Sequence, residues 1–164
     1  MTTVVLDTNA LMMPVEMGVR VFEELDRLVD PTDPVVPASV VAELDDLATG
    51  GGEEGRAASV GRDLVERCRV VETAADYADD AVVELATNGV PPTPTPRPSP
   101  SANDVSTDAD NVSTEPDDTP TETERAAFDG YVVTNDGPLR DRVLSRGVRV
   151  IGIRGANTLA VTEP

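Results

Sequence analysis

The sequence predicts an α/β fold on a parallel sheet, and three observations carry that expectation. Short apolar runs recur at residues 4–6, 35–36, 70–71, 131–133 and 148–153, too continuously apolar for a half-exposed antiparallel sheet. Helical patterns fall between them, at about 19–29, 40–48, 56–68, 77–86 and 138–145. Strand, helix and strand repeated in this order require right-handed crossovers, which lay the strands parallel.

Each element has local support. The helix at 19–29 shows an apolar stripe of Phe22, Leu25 and Val29, and Ser39 offers an N-cap for the helix at 40–48. Gly89 and Gly147 stand where helix C-caps are wanted. Gly50, Gly51 and Gly52 read as a mobile loop rather than a phosphate cradle, because no Lys follows them. No internal repeat is visible.

A change of composition interrupts the chain. Residues 91–124 hold eight Pro, many Ser and Thr, and eight acids against Arg97, with no apolar residue larger than Val105 and Val112. Such a segment buries too little apolar surface to offset chain entropy, so it is expected to be disordered. Apolar patterning resumes at Tyr131, which makes the segment an insertion within a single domain spanning 1–164.

Composition also excludes chemistry. All 13 basic residues are Arg, so the chain lacks His and Lys, and with them His general bases, Schiff-base lysines and the P-loop lysine. A single Cys removes internal disulfides and Cys/His zinc sites. Carboxylates, hydroxyls, amides, arginines and a hard metal ion remain.

The net charge is −18, and the acidic insertion accounts for −7 of it, leaving −11 elsewhere. An Asp-rich, Lys-free surface resembles that of proteins from salt-in halophiles, where molar salt shortens the Debye length to roughly 3 Å. The other reading is an acidic protein that binds a partner. The first residues carry no basic region or long apolar core, and no stretch approaches the roughly 18 apolar residues of a membrane span. The expected location is the cytoplasm, without a membrane.

In an open parallel sheet, function gathers at the carboxyl ends of the strands. Asp7 follows the first run and Asp136 the fourth, Glu43 lies one turn into the second helix, and Asp79 and Asp80 open the helix before the insertion. A strand-end Asp followed by Thr or Asn is also a common turn signal, so position on the helices discriminates better. At 100° per residue, Glu43 lies about 60° from Val40, on the border of its apolar stripe, while Asp45 and Asp46 point away. Asp79 lies about 60° from Val82 and Asp80 about 160°, which makes Asp79 the inward acid and Asp80 its alternate. Carboxylates converging at a sheet edge repel one another unless protons or cations neutralise them. An all-oxygen set selects Mg²⁺ or Mn²⁺, ions that activate water and stabilise charge developing on a phosphodiester.

The arrangement resembles the PIN-domain ribonucleases. The likeness rests on Val4-Val5-Leu6-Asp7-Thr8-Asn9, Val40-Val41-Ala42-Glu43-Leu44, Ala78-Asp79-Asp80-Ala81-Val82-Val83, and Val132-Val133-Thr134-Asn135-Asp136 followed by Leu139-Arg140. It implies a three-layer fold with a five-stranded parallel sheet between helices, and a metal-dependent endoribonuclease. Asp7, Glu43, Asp79 and Asp136 would be its catalytic, metal-binding acids, with Asn9, Thr134 and Asn135 in support. With the ending Val150-Ile151-Gly152-Ile153-Arg154-Gly155, the wording looks closest to archaeal VapC-like proteins and pre-rRNA-cleaving PIN nucleases. That likeness implies RNA as substrate, either an antitoxin or ribosome-assembly factors as partner, and a homodimer.

Arginines add a separate hint. Five of the 13 lie between Arg140 and Arg154, and from Gly137 onward only Asp141 and Glu163 oppose them. Arg140, Arg142 and Arg146 are the candidates for contacting RNA phosphates, against the alternative of a solvated helix face. Two other functions compete. A phosphatase with Asp7 as nucleophile wants Asp-x-Asp, and Asn9 holds the second Asp position. A non-catalytic PIN-like scaffold in an RNA-processing or ribosome-maturation complex has no reason to keep four mutually repelling acids.

Overall fold

The computed structural model describes residues 2–90 and 128–164; the insertion expected at 91–124 lies outside the described residues. The chain runs β1 (Thr2–Leu6), α1 (Thr8–Glu16), α2 (Val21–Leu28), β2 (Thr32–Pro37), α3 (Ala38–Ala48), α4 (Gly52–Leu64), β3 (Arg69–Val71), α5 (Ala78–Asn88), β4 (Tyr131–Val133), α6 (Gly137–Leu144), β5 (Arg149–Arg154) and β6 (Thr158–Thr162). The strands form one sheet in the order β3-β2-β1-β4-β5-β6. The first five are parallel, with Val4 opposite Pro34 on one side and Tyr131 on the other.

The continuous apolar runs become strands covered on both faces, except at the edge strand β3, where Val70 is exposed. Val4, Val5, Leu6, Val35, Val36, Val132, Val133, Val150 and Ile151 are fully buried, as a parallel sheet between helical layers demands. Helices α1 and α3 both pack on α4. Gly61 makes that approach close, since a Cβ there would stand 3.0 Å from the Leu11 carbonyl oxygen and 3.1 Å from Leu44 Cδ2. Gly89 ends α5 with φ +81, a conformation that favours glycine.

The structure corrects the expectations in five places. The sheet has six strands rather than five, because β6 adds an antiparallel edge to β5 across the turn at residues 155–157. A helix, α1, follows β1 where the Asp7-Thr8-Asn9 wording signals a turn; it is capped by Asp7 and carries Pro14 inside it. Helix α4 starts at Gly52, so the glycine triplet leads directly into a helix whose first turn carries Glu53 and Glu54, the sign its dipole favours. Ser39 does not cap α3: the cap is Pro37, and the Ser39 hydroxyl is buried without a hydrogen-bond partner. Gly147 lies two residues past Ser145, the C-cap of α6, and its N–H donates to the Leu144 carbonyl.

The chain leaves β1 to one side through β2 and β3, then crosses to the other side of β1 to form β4. That reversal places a crevice at the carboxyl ends of β1 and β4, where open α/β sheets bind ligands.

Candidate active site

Asp7 follows β1 at this crevice and is only 2% exposed. Its backbone N–H joins the Val133 carbonyl, tying the end of β1 to β4. As N-cap of α1, its Oδ1 accepts the Ala10 N–H at 2.7 Å, and its Oδ2 accepts the Thr134 hydroxyl at 2.5 Å. Thr134, fully buried at the end of β4, also accepts the Asp136 N–H at 3.0 Å through the same hydroxyl. One hydroxyl thus fixes the carboxylate on β1 and the backbone carrying the acid after β4.

Asp136 caps α6, its Oδ1 accepting the Leu139 N–H at 3.1 Å. The turn-signal reading of the strand-end acids holds, since Asp7 and Asp136 are both helix caps, and each stands at the carboxyl end of its strand. Burial pushes the Asp7 carboxyl up to about 7; Asp79 and Asp136 push in the same direction, while the bonds from Thr134 and Ala10 oppose it. Desolvation also raises Asp79, helped by the charges of Asp136, Glu43 and Asp80 and opposed by Arg142. Asp7 therefore lies in the fields of Asp79 and Asp136, and Asp79 in those of Asp136 and Glu43.

Glu43, exposed on α3, accepts the Thr8 hydroxyl at 2.6 Å. With Ser39, Asp46, Asp76, Tyr77, Asp79, Asp80 and Arg142, it lines a cleft of about 500 Å³. Against the arithmetic of helical phase, Asp79 and Asp80 both border this cleft and are both exposed, so the helix does not turn one inward and the other out; Asp80 is the one that pairs with Arg142, at 2.7 Å. Asp46 corrects the same arithmetic, since it borders the cleft instead of pointing away, whereas Asp45 pairs with Arg62. Thr8, Asp46 and Asp76 join the site without any signal in the sequence pattern.

The supporting amides stand further out. Asn9 is exposed, and exposed Asn135 donates to Met17 Sδ at 3.7 Å. Of the arginine candidates, Arg142 is held by Asp80 and Arg146 donates to the Thr87 hydroxyl at 3.0 Å. Arg140, 50% exposed, has only a 3.9 Å approach to Asp141.

The family model of the PIN-like domain matches residues 4–90, more than half of the chain. The chain belongs to the PIN-like domain family. Solved structures align with the chain at low identity. A structure described as the PIN domain endonuclease Utp24 aligns over 99% of this chain and 92% of its own, at 20% identity and TM-score 0.61. A domain of a functionally unknown protein from Methanocaldococcus jannaschii DSM 2661 aligns over 96% and 94%, at 14% identity and TM-score 0.55. VapBC2 from Rickettsia felis, solved with a DNA fragment from its promoter, aligns over 92% and 98%, at 12% identity and TM-score 0.46. No curated protein matches the sequence.

The donor set of this PIN-like crevice fits a hard divalent cation: carboxylate oxygens, the orphaned Ser39 hydroxyl at the cleft wall, and a buried Asp7 whose charge lacks a cationic partner among the described residues. Among the same residues, no three acids stand close enough to hold one ion directly. No helix of the described residues is long and apolar enough to cross a membrane.

Proposed function

We propose that the protein is a Mg²⁺- or Mn²⁺-dependent endoribonuclease that hydrolyses RNA phosphodiester bonds. The observation that carries this reading is the buried Asp7, fixed by Thr134 and raised in pKa by burial and by Asp79 and Asp136 at the switch point of the sheet. A carboxylate so placed is relieved by a proton or a cation. Membership of the PIN-like family supports the nuclease class.

In this reading Asp7, Glu43, Asp79 and Asp136 are the acids that would hold the cation, with Asp80 as the alternate to Asp79, although among the described residues no three of them stand close enough to ligate one ion directly. Once bound, it supplies Lewis acidity that activates water and offsets the charge developing on the phosphodiester. The chain's own contribution is orientation. The Thr134 hydroxyl locks the Asp7 carboxylate, the Thr8 hydroxyl restrains Glu43, and the α6 cap holds Asp136. Arg142 stands at the cleft wall as a countercharge for the acids. Without His or Lys, proton transfer falls to carboxylates and water. The substrate role divides between a toxin-type ribonuclease and rRNA processing, with an antitoxin or ribosome-assembly factors as the corresponding partners. We place the protein in the cytoplasm, as a homodimer.

Titrating Mn²⁺ or Mg²⁺ into the protein with labelled single-stranded RNA tests the reading. Cleavage that requires the ion and is lost in Asp7→Asn and Asp136→Asn is the expected result; undiminished cleavage by either variant overturns it. A second reading, a non-catalytic scaffold module, draws on the absence of a tight acid triplet among the described residues. It predicts RNA or protein binding with no ion-dependent cleavage.

A further inference from the structure

Thr134, which bonds Asp7 and the Asp136 N–H, also lines a second pocket of about 250 Å³ of opposite character. Arg140 and Arg154 line it together with Thr134, Asn135 and Gly137, and no acid does. In a chain of net charge −18 this is a conspicuous local reversal. Arg154, exposed at the end of β5, makes no ion pair or hydrogen bond among the described residues, and Arg140 makes only the long approach to Asp141. The other arginines of this region are engaged: Arg142 by Asp80, Arg146 by Thr87, and Arg149 by Tyr131, Asp129 and Glu163.

We infer that this pocket is a phosphate subsite for the RNA strand beside the cleaved bond, with Arg140 and Arg154 as its two donors. The inference rests on the endoribonuclease reading and names where that substrate is held. An acid-lined cleft repels a polyanion, so the strand needs an anchor close to the acids but outside their cleft. Two guanidinium groups free to turn toward one phosphate supply it with charge-assisted, fork-shaped hydrogen bonds. Thr134 connects the two regions, since it lines this pocket while its hydroxyl binds Asp7 and the Asp136 N–H. Ile153, Ala160 and Val161 give the pocket an apolar wall against which a ribose or base can lie. The assignment moves the phosphate contact from Arg142 and Arg146 to Arg140 and Arg154.

The test uses the full chain in chelator, where nothing is cleaved, with a fluorescein-labelled single-stranded RNA read by anisotropy over a series of KCl concentrations. Arg140→Ala and Arg154→Ala each weaken binding by about tenfold and flatten the log–log salt slope by about 0.7, the share of one phosphate contact on a single strand. Arg154→Lys recovers the slope without the full affinity, because a point charge replaces a fork. Arg20→Ala, which removes the same charge from a remote exposed pair with Glu23, serves as control. Equal losses in Arg154→Ala and Arg20→Ala overturn the subsite, because they reduce the effect to net charge. Cleavage assays with Mn²⁺ separate the two readings. Both arginine variants cleaving at unchanged KM removes the pocket and leaves the nuclease. RNA bound through both arginines, with no cleavage by the unmodified protein, removes the nuclease and keeps the pocket as a binding site.

Discussion

The Thr134 hydroxyl joins Asp7 and Asp136, donating to one carboxylate while accepting the other residue's backbone N–H. Thr134→Val keeps the shape and removes both bonds. The variant should lose about 1–3 kcal/mol of stability through the unsatisfied groups it leaves. Its ion affinity or cleavage rate should fall about 10- to 100-fold, because the carboxylate loses its orientation. The Asp7 carboxyl should rise further, since the Thr134 bond opposes its upward shift. Thr134→Ser should recover most of each loss; thermal melts and ion titrations on the two variants check this, and equal behaviour would remove the hydroxyl from the account.

Asp7 also sets a pH dependence. Its pKa rises from an ordinary 3.8 to about 7 in the folded chain, so between those values the folded state binds more protons than the unfolded state. Stability from this group is full below the unfolded value and is lost as pH climbs through the folded one, by an amount on the order of 4 kcal/mol in ion-free protein. Asp79, also raised, acts with the same sign. Denaturant melts in chelator at pH 5 and pH 8 should show the loss. Asp7→Asn should shrink it and be more stable than the parent at pH 8, since an amide can still accept from Ala10 and donate to Thr134. Added Mn²⁺ should stabilise the parent more at pH 8 than at pH 5, where protons compete for the same oxygens. A flat profile would contradict the buried, charged Asp7.

Asp79 and Asp80 separate by one residue and by environment. Asp79 feels Asp136 and Glu43, whereas Asp80 holds Arg142 in an exposed pair. Asp79→Asn should therefore reduce ion-dependent cleavage by orders of magnitude. Asp80→Asn should cost no more than about 1 kcal/mol of stability, the value of an exposed ion pair, and leave most cleavage intact. Rates of the two variants at saturating Mn²⁺ decide between them, and the reverse ranking would mean that α5 turns Asp80, not Asp79, toward the other acids.

What was legible in the sequence followed from burial. The runs at 4–6, 35–36 and 131–133 are apolar throughout because both faces are covered, whereas the period of α5 gives Asp79 and Asp80 different bearings but leaves both exposed on one cleft. Helix α1 was hidden because Pro14 lacks the N–H that an interior helical position donates, which interrupts the helical pattern. Strand β6 was hidden for a different reason: its apolar run Leu159-Ala160-Val161 sits on a half-exposed edge where Leu159 is the one buried side chain, so nothing in it marks a strand covered on both faces. The cleft acids Asp46 and Asp76 and the Thr8–Glu43 bond depend on which segments meet in space, as does the 75% exposure of Tyr77 at the cleft rim. Local periodicity carries none of that.

Salt provides the last prediction. With −18 on the chain and eleven of those charges outside the segment at 91–124, acids repel one another and repel RNA in dilute buffer. Raising KCl shortens the Debye length from about 10 Å at 0.1 M to about 3 Å at 1 M, which weakens both repulsions. The same salt removes the counterion-release advantage of arginine–phosphate contacts, so binding through Arg140 and Arg154 loses its long-range part. Direct contacts, such as carboxylate to ion and ion to phosphate, are screened least because little solvent separates the charges. If the acidity is an adaptation to high salt, thermal stability and ion-dependent cleavage should both rise from 0.1 M toward molar KCl. The penalty of Arg154→Ala should be largest at the low end of the active range. Maximal stability and cleavage at 0.1 M KCl would refute that adaptation and turn the acidity into a surface for a basic partner protein.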